Sequence, residues 1–203
     1  MKYKSTFTSK RRRMNATPYI KKLFDILNTV KVTGSDMKEI NLDAAVSETI
    51  DLIKKYSGLG KKLLFIGNGG SAAIASHEAI DFSKNGKIRS MCFNEASLLT
   101  CLGNDYGYEY VFEKSMEIFA DREDVLIAIS SSGKSPNILK AIEWARKMNC
   151  KIITFSGFSE DNPLRKSGDY NYYVNSGKYG FVELSHQTLL HMILDIITGD
   201  WRE

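Results

Sequence analysis

Hydrophobic and polar positions follow two alternating patterns from residue 62 onward. Short apolar runs typical of buried strands recur at residues 63–66, 88–93, 125–129, 152–155 and 170–174. Between and after these runs, apolar residues at helical spacing predict helices around His77, at 110–119, at 138–148 and at 182–197. This alternation predicts an α/β domain built on a five-stranded parallel sheet with helices on both faces. Ligands of such sheets bind at the C-terminal ends of the strands.

Two amphipathic stripes precede this region and predict additional N-terminal helices within residues 18–57. The first stripe comprises Ile20, Leu23, Phe24 and Leu27. The second comprises Leu42, Val46, Ile50 and Ile53. Each stripe needs a partner surface, and the sequence leaves open whether that surface is the sheet of the same chain or another subunit.

The length and the charge of the chain limit the number of domains and the classes of binding partner. A chain of 203 residues, 43% of them hydrophobic, can bury the core of one domain, which we place at residues 14–203. Six lysines and arginines and no acid occupy residues 1–13, and removing them from the net charge of +4 leaves −2. The charge therefore does not imply a basic nucleic-acid-binding face on the folded body.

The basic segment 1–13 has no apolar periodicity, and we expect a disordered tail. An organellar transit peptide or a nucleic-acid-binding arm is the alternative interpretation, and Met14 is a candidate start of translation. No apolar run is long enough to span a membrane, and no apolar segment follows the basic residues as in a secretion signal.

The three cysteines, Cys92, Cys101 and Cys150, have an odd count and no metal-ligand spacing. This pattern suits reduced thiols packed in the core of a cytoplasmic protein.

A glycine-rich turn links the first strand of the alternating region to its helix. It contains Asn68, Gly69, Gly70 and Ser71. Glycines allow the chain to turn sharply and to approach a ligand closely, while the first N–H groups of the next helix are free to bind an anion. Glycines can also serve such a turn for steric reasons alone.

A serine-rich loop follows the strand at residues 125–129. It contains Ser130, Ser131, Ser132 and Ser135, and Pro136 suits the first position of the next helix. Hydroxyls and N–H groups at a helix N-terminus can surround a phosphate, although the same serines could be turn and capping residues. Two such loops at neighbouring strand ends favour a phosphorylated ligand. The glycine spacing of a Walker motif is missing.

Few side chains in this sequence can move protons or bind a metal. His77 and Asp81 are four residues apart and share a helix face, and Glu183 and His191, eight apart, also share a side. Two imidazoles and two carboxylates from two helices form a plausible zinc site. Glu183 and His186 are a competing pair by spacing, and packing or surface roles remain the alternative for each histidine.

These motifs together resemble the sugar isomerase (SIS) domain family, most closely the phosphoheptose isomerases. The resemblance runs from about residue 42 to the C-terminus. Its motifs are residues 67–71 with His77, residues 103–107, residues 130–137, and Glu183 with His186 and His191. It implies a single-domain three-layer sandwich, a homotetramer and an aldose–ketose isomerase that converts sedoheptulose 7-phosphate to D-glycero-D-manno-heptose 7-phosphate through an enediol.

The resemblance also implies roles for individual residues. It implies catalytic roles for Asp81, Glu183 and His191. It implies zinc binding by His77, Asp81, Glu183 and His191. The residues implied to contact the sugar and its phosphate are Asn68, Gly69, Gly70, Ser71, Asp81, Asn104, Asp105, Ser130, Ser131, Ser132, Ser135 and Glu183. Asp81 and Glu183 depart from the pattern, because the family usually carries Glu and Gln at these positions.

Three functions are compatible with the resemblance. A phosphoheptose isomerase is favoured by the histidine and carboxylate set. The alternatives are a non-catalytic SIS protein, either a sugar-phosphate sensor or a partner in replication initiation, and an isomerase of another sugar phosphate.

Overall fold

A computed structural model describes residues 15–202 of the chain. The predicted tail, Met14 and Glu203 lie outside these residues. Within them, no helix is both long and apolar enough to cross a membrane.

The described part of the chain forms one mixed sheet of seven strands at its centre. The strands are β1 (Lys31–Gly34), β2 (Glu39–Ile40), β3 (Leu63–Gly67), β4 (Ser90–Cys92), β5 (Val125–Ser130), β6 (Lys151–Ser156) and β7 (Tyr170–Tyr173). Their order across the sheet is β2-β1-β7-β6-β5-β3-β4. Strands β3 to β7 are parallel, as predicted, and β1 pairs antiparallel with both β7 and β2.

Seven α-helices lie around the sheet within residues 15–202. They are α1 (Ala16–Leu27), α2 (Leu42–Gly58), α3 (Gly70–Lys84), α4 (Ala96–Tyr106), α5 (Val111–Phe119), α6 (Pro136–Lys147) and α7 (Tyr179–Thr198). Helices α2, α3 and α7 share one hydrophobic core with the sheet, and α4, α5 and α6 share the other. The three-layer architecture is therefore confirmed.

Alternating side chains of each strand supply the two cores. Leu63 and Phe65 of β3 pack on the side of α3, whereas Leu64 and Ile66 pack on the side of α5 and α6. Because both faces of the sheet are covered, β3 and β5 are buried along their whole length. Their sequences are therefore almost continuously apolar.

The sheet has two more strands than the five expected from the sequence. Strands β1 and β2 form a short antiparallel hairpin between the two predicted N-terminal helices. They escaped prediction because they are four and two residues long, and no repeated alternation develops over such lengths.

The two N-terminal helices have different surroundings. Helix α2 buries Val46, Ile50 and Ile53 against the sheet of its own chain. Helix α1 buries only Ile26 and lies against α7, where Tyr19 stacks on Phe181 with ring centroids 4.6 Å apart. Ile20 and Phe24 of α1 remain 66% and 64% exposed in the single chain.

The cysteines are free thiols in different environments. Cys150 is buried and Cys92 half-buried, which suits core packing. The core role expected for Cys101 is wrong, because Cys101 lies exposed on α4.

The strand order places both polar loops at one point of the sheet. Strands β3 and β5 are neighbours although β4 lies between them in sequence, so the chain leaves β3 and β5 toward opposite faces. Such a topological switch opens a crevice at the carboxyl ends of the strands, where α/β proteins bind their ligands. The glycine-rich turn and the serine-rich loop both begin there.

Candidate active site

The turn after β3 is shaped by glycine. Gly69 has a φ of +56° and precedes the first residue of α3, Gly70. A Cβ atom on Gly67 would clash with the backbone of Ser71, so the helix starts immediately against the end of the strand. The helix N-terminus thus points into the crevice at the switch point.

The loop after β5 turns at Gly133, which has a φ of +63°. The side chain of Asn162 fills the space that a Cβ on Gly133 would need. Ser130 Oγ accepts a hydrogen bond from Gly133 N at 3.2 Å and lies 3.4 Å from Ser135 Oγ. Ser131 Oγ is buried without a hydrogen-bond partner in the described chain.

The serine loop leads directly into α6. Pro136 is the first helical residue, as predicted, and Ser135 precedes it at the cap position. The Ser135 side chain makes no capping hydrogen bond, so its hydroxyl remains available to a ligand.

A reciprocal amide pair joins the two loops. Asn68 Nδ2 donates to Asn137 Oδ1 at 2.9 Å, and Asn137 Nδ2 donates to Asn68 Oδ1 at 2.9 Å. Tyr108 adds a hydrogen bond from its hydroxyl to Asn68 Oδ1 at 3.1 Å. The pair fixes the separation of the loops and therefore the width of the crevice.

The two loops enclose a cavity of about 260 Å³, which we call the loop pocket. Its lining consists of Asn68, Gly69, Gly70, Ser71, Ser130, Ser131, Ser132, Ser135, Tyr179 and Glu183. All except Tyr179 are among the residues predicted from the sequence. The pocket offers hydroxyls, loop N–H groups and the N-termini of α3 and α6, the groups that proteins use to bind phosphate.

Glu183 belongs to this pocket. Its carboxylate lies against Gly70, in the space that a Cβ there would occupy. The zinc role predicted for Glu183 would require a ligand position beside His191, eight residues further along α7. That spacing corresponds to a rise of about 12 Å along a helix, which places the two side chains at different levels.

Two predicted sugar contacts lie elsewhere. Asn104 and Asp105 are exposed at the end of α4, where Asn104 Nδ2 donates to Asp105 Oδ1 at 2.9 Å. Neither residue lines the loop pocket.

A histidine cluster forms where α3 and α7 touch, and we use that name for His77, Glu78, Asp81 and His191. The two Nε2 atoms of His77 and His191 are 3.2 Å apart. Asp81 Oδ2 lies 3.3 Å from His77 Nε2 and 4.0 Å from His191 Nδ1. The predicted proximity of His77 and Asp81 on one face of a helix is confirmed, and α7 brings His191 beside them.

Glu78 is the member of the cluster that the sequence analysis missed. It is fully buried, its Oε1 atom lies 3.6 Å from His191 Nε2, and Gln187 donates a hydrogen bond to the same oxygen. Burial, reinforced by the negative charges of Asp81 and Asp195, raises the pKa of Glu78 to about 8. His77, Glu78 and His191 offer ligand atoms within 4.8 Å of one another and could hold a metal ion.

His186 has a different environment from the other two histidines. It is fully buried against β6, where its Nε2 atom lies 3.1 Å from Ser156 O and its ring meets Phe155 edge-on. Burial lowers the pKa of His186 to about 4, so the side chain is a neutral core residue at pH 7.

Helices α3 and α7 run side by side in the same direction. Glu183 meets Gly70 near their N-terminal ends, and His191 meets His77 two turns further along. The seven residues from Gly70 to His77 correspond to about 10 Å along the helix axis. The loop pocket and the histidine cluster therefore lie along one helix pair at a separation that an extended sugar phosphate can span.

Sequence and structure comparisons agree with this architecture. The SIS domain family model matches residues 19–157. The phosphoheptose isomerase of Helicobacter hepaticus is 34% identical over 175 residues, which cover 83% of this chain and 89% of that protein. The chain belongs to the SIS domain family of phosphoheptose isomerases.

Further relatives support the assignment. Phosphoheptose isomerase 1 of Campylobacter jejuni is 34% identical over 162 residues, which cover 77% of this chain and 87% of that protein. The solved structure of the phosphoheptose isomerase from Neisseria gonorrhoeae superposes with a TM-score of 0.77 at 26% identity, covering 89% of this chain and 96% of that one. The family resemblance inferred from the motifs is thus confirmed over most of the chain.

Proposed function

We propose that this member of the phosphoheptose isomerase family interconverts sedoheptulose 7-phosphate and D-glycero-D-manno-heptose 7-phosphate. The observation that supports this activity best is the alignment of a phosphate-type pocket and a proton-transfer cluster along α3 and α7. A heptose phosphate in an extended conformation can place its phosphate in the loop pocket and its carbonyl end at the histidine cluster.

The loop pocket would bind the phosphate without arginine. Ser130, Ser132 and Ser135 offer hydroxyls, and the N-termini of α3 and α6 contribute N–H groups and favourable partial charge. The unpartnered Ser131 hydroxyl gains a hydrogen bond when an anion enters. Glu183 and Tyr179, which also line the pocket, would contact sugar hydroxyls, because a carboxylate repels the phosphate itself.

The reaction requires a base and an acid at the other end of the sugar. A base removes a proton from C1 of the ketose, the electron pair forms the C1–C2 double bond of an enediol, and a proton is then added at C2. We assign proton removal to Asp81 and proton exchange with the sugar oxygens to His191. Both side chains are partly exposed, at 20% and 37%, so a substrate can reach them.

A divalent metal fits the histidine cluster. The two imidazole Nε2 atoms are 3.2 Å apart, and Oε2 of the buried Glu78 has no hydrogen-bond donor among residues 15–202. Nitrogen and carboxylate ligands of this kind suit zinc. We propose that His77 and His191 bind zinc together with a carboxylate. Of the two acids that the sequence offers, Asp81 lies beside both imidazoles, whereas Glu183 lies in the loop pocket of the single chain. Zinc, when bound, supplies positive charge next to the oxygen on which charge develops.

We also propose a homotetramer located in the cytoplasm. Helix α1 exposes Ile20 and Phe24 on the side away from α7, a surface that a second subunit could cover. The three free thiols suit a reducing compartment.

The test is incubation of purified, untagged protein with sedoheptulose 7-phosphate, followed by chromatographic separation of ketose and aldose. Parallel reactions with a pentulose phosphate and a hexulose phosphate measure the preference for chain length. We expect turnover of the heptulose phosphate, its loss on chelation and its return with zinc. Binding without turnover of any sugar phosphate would favour the sensor function, and full activity after chelation would exclude the metal role.

A further inference from the structure

Tyr179 differs from the other residues that line the loop pocket. It is the aromatic member of a lining that otherwise consists of glycines, serines, an asparagine and a glutamate. Tyr179 is the first residue of α7 and is 61% exposed in the single chain. An exposed aromatic ring beside a polar pocket is free to lose further contact with water when a ligand with carbon atoms enters.

A second aromatic ring fixes the position of Tyr179. The rings of Phe158 and Tyr179 meet edge to face, with centroids 4.8 Å apart and an angle of 72° between their planes. Phe158 is the second residue after β6, the neighbour of the strand that leads into the serine loop. The aromatic pair therefore joins the end of the sheet to the start of α7 beside the loop pocket.

The backbone of Phe158 is unusual for a large side chain. Its φ of +58° lies in the left-handed region, where glycine and asparagine are the common residues. Two hydrogen bonds hold this conformation. Phe158 N donates to Ser176 O at 3.0 Å, and the Tyr173 hydroxyl donates to Phe158 O at 3.0 Å. A large residue held in a costly conformation beside a ligand site indicates that the direction of its side chain matters there.

The preceding residue, Gly157, places this segment against both walls of the pocket. A Cβ atom on Gly157 would lie 2.8 Å from Val182 Cγ1 and 3.3 Å from Ser131 O. The chain after β6 therefore touches both α7 and the serine loop. A change at Phe158 would move the ring of Tyr179 relative to the serine hydroxyls.

We propose that Tyr179 is a specificity-determining residue that covers the carbon atoms next to the phosphate of a bound sugar phosphate, and that Phe158 is its positioning residue. The serine loop and the helix N-termini bind the phosphate, while the ring of Tyr179 packs against C–H groups of the adjacent carbons. The site thereby distinguishes the phosphate of a sugar from inorganic phosphate. This inference rests on the phosphate-binding role of the loop pocket in the proposed function, and it names residues that the family motifs do not contain.

The test compares an unreactive sugar phosphate with inorganic phosphate. Reduction of the ketone of sedoheptulose 7-phosphate gives heptitol 7-phosphates, which cannot isomerise, so calorimetry measures their binding without turnover. Inorganic phosphate is measured as a competitor of the same ligand. We expect Tyr179→Ala to bind the heptitol phosphate about tenfold more weakly and inorganic phosphate with wild-type affinity, because inorganic phosphate has no carbon atoms for the ring to contact.

Two further variants make this comparison specific. Tyr179→Phe keeps the ring and loses the hydroxyl, so its affinity for the heptitol phosphate should fall at most about threefold. Ile118→Ala is the matched control, because Ile118 is 60% exposed on α5, which packs on the other face of the sheet. This control should bind both ligands like wild type.

Phe158→Gly and Phe158→Asn test the positioning role. Glycine and asparagine both tolerate a left-handed backbone, so each variant removes the ring without forcing the chain into another course. Either variant, when folded, should bind the heptitol phosphate about threefold or more weakly, with unchanged affinity for inorganic phosphate. The double variant Phe158→Gly with Tyr179→Ala should bind no more weakly than Tyr179→Ala alone, because Phe158 acts through Tyr179.

Several results would overturn the proposal. Wild-type affinity for the heptitol phosphate in Tyr179→Ala would exclude the ring contact, and so would an equal loss of both ligands, which indicates a displaced phosphate site. Additive losses in the double variant would remove the positioning role of Phe158. A wild-type protein that binds no heptitol phosphate also contradicts the inference. Turnover of sedoheptulose 7-phosphate in the same preparation tests the isomerase function separately.

Discussion

The loop pocket and the histidine cluster are built in opposite ways. The loop pocket uses backbone groups and small hydroxyl side chains from two turns that directly follow strands β3 and β5. The histidine cluster uses long titratable side chains that meet only because α3 packs beside α7. Each of the two turns is local in sequence, although Tyr179 and Glu183 of α7 complete the loop pocket. The histidine cluster depends on the packing of α3 against α7.

This difference predicts that one site determines substrate affinity and the other determines turnover. Hydroxyls and N–H groups bind a phosphate equally well before and during the reaction, so the loop pocket should govern substrate affinity. Proton transfer occurs only in the transition state, so the histidine cluster should govern turnover. The following predictions test this division.

The largest effect is expected for His191→Ala. Because the side chain is 37% exposed and not part of the core, the variant should fold normally but lose turnover at least about 100-fold. Steady-state kinetics with sedoheptulose 7-phosphate and circular dichroism measure the two properties. Thr188→Ala, on an exposed position of the same helix, is the matched control and should keep wild-type turnover. Full activity of His191→Ala would remove the cluster from catalysis.

A smaller and different effect is expected when Ser130, Ser132 and Ser135 are replaced together by alanine. Lost hydrogen bonds to a charged phosphate should raise KM about tenfold or more, with a lesser change in kcat. Lys134→Ala, in the same loop, shows how much simple charge attraction contributes. A fall in kcat at constant KM would contradict the division between the two regions.

His186 should affect stability and not catalysis. Its pKa is lowered to about 4 in the folded protein against an ordinary 6.5, so the unfolded state takes up a proton first as the pH falls. The stabilisation is complete above about pH 6.5 and declines toward pH 4, by about 2 kcal/mol at pH 5. Urea unfolding at pH 7 and pH 5 should show a smaller acid loss for His186→Phe than for wild type. Equal losses would exclude His186 as the source.

The smallest effect is expected on deletion of residues 1–13. The segment has no apolar periodicity and no predicted site residue. Activity and the number of subunits in solution should therefore stay the same as for the full chain. A change in the number of subunits or a loss of turnover would show that the segment belongs to the assembly or to the site.

The residues of the loop pocket could be predicted because their signals are contiguous. A strand, a turn with Gly69 and a helix occur within a few residues, and the same holds around Gly133. Nine of the ten lining residues follow from these two loops and the family resemblance, and Tyr179 carries no local signal.

The histidine cluster could be predicted only in part. The spacing of His77 and Asp81 is a property of one helix, and it was sufficient to place them together. Glu78 was missed because neighbouring residues of a helix are about 100° apart around its axis, so their spacing alone does not place Glu78 with His77. A signal was present nonetheless, since an acid at a buried position of an apolar stripe needs a compensating partner.

For Glu183, the helical spacing suggested a proximity to His191 that the structure does not have. Its angular position on α7 is close to that of His191, but the helix rise separates them, and only the contact with Gly70 reveals its surroundings. The hairpin of β1 and β2 could not be predicted from the sequence either, because β1 pairs with β7 across more than 130 positions of the chain.

The short outer strands have a consequence for how copies of the chain can associate. The sheet ends at β2, which is two residues long, and at β4, which is three residues long. Edges this short expose few free N–H and C=O groups and give a neighbouring chain little to extend as a continued sheet. Protection against fibril-type aggregation is thereby part of the topology. The sheet edges offer little for association, whereas the exposed apolar face of α1 is a helical surface that could be covered.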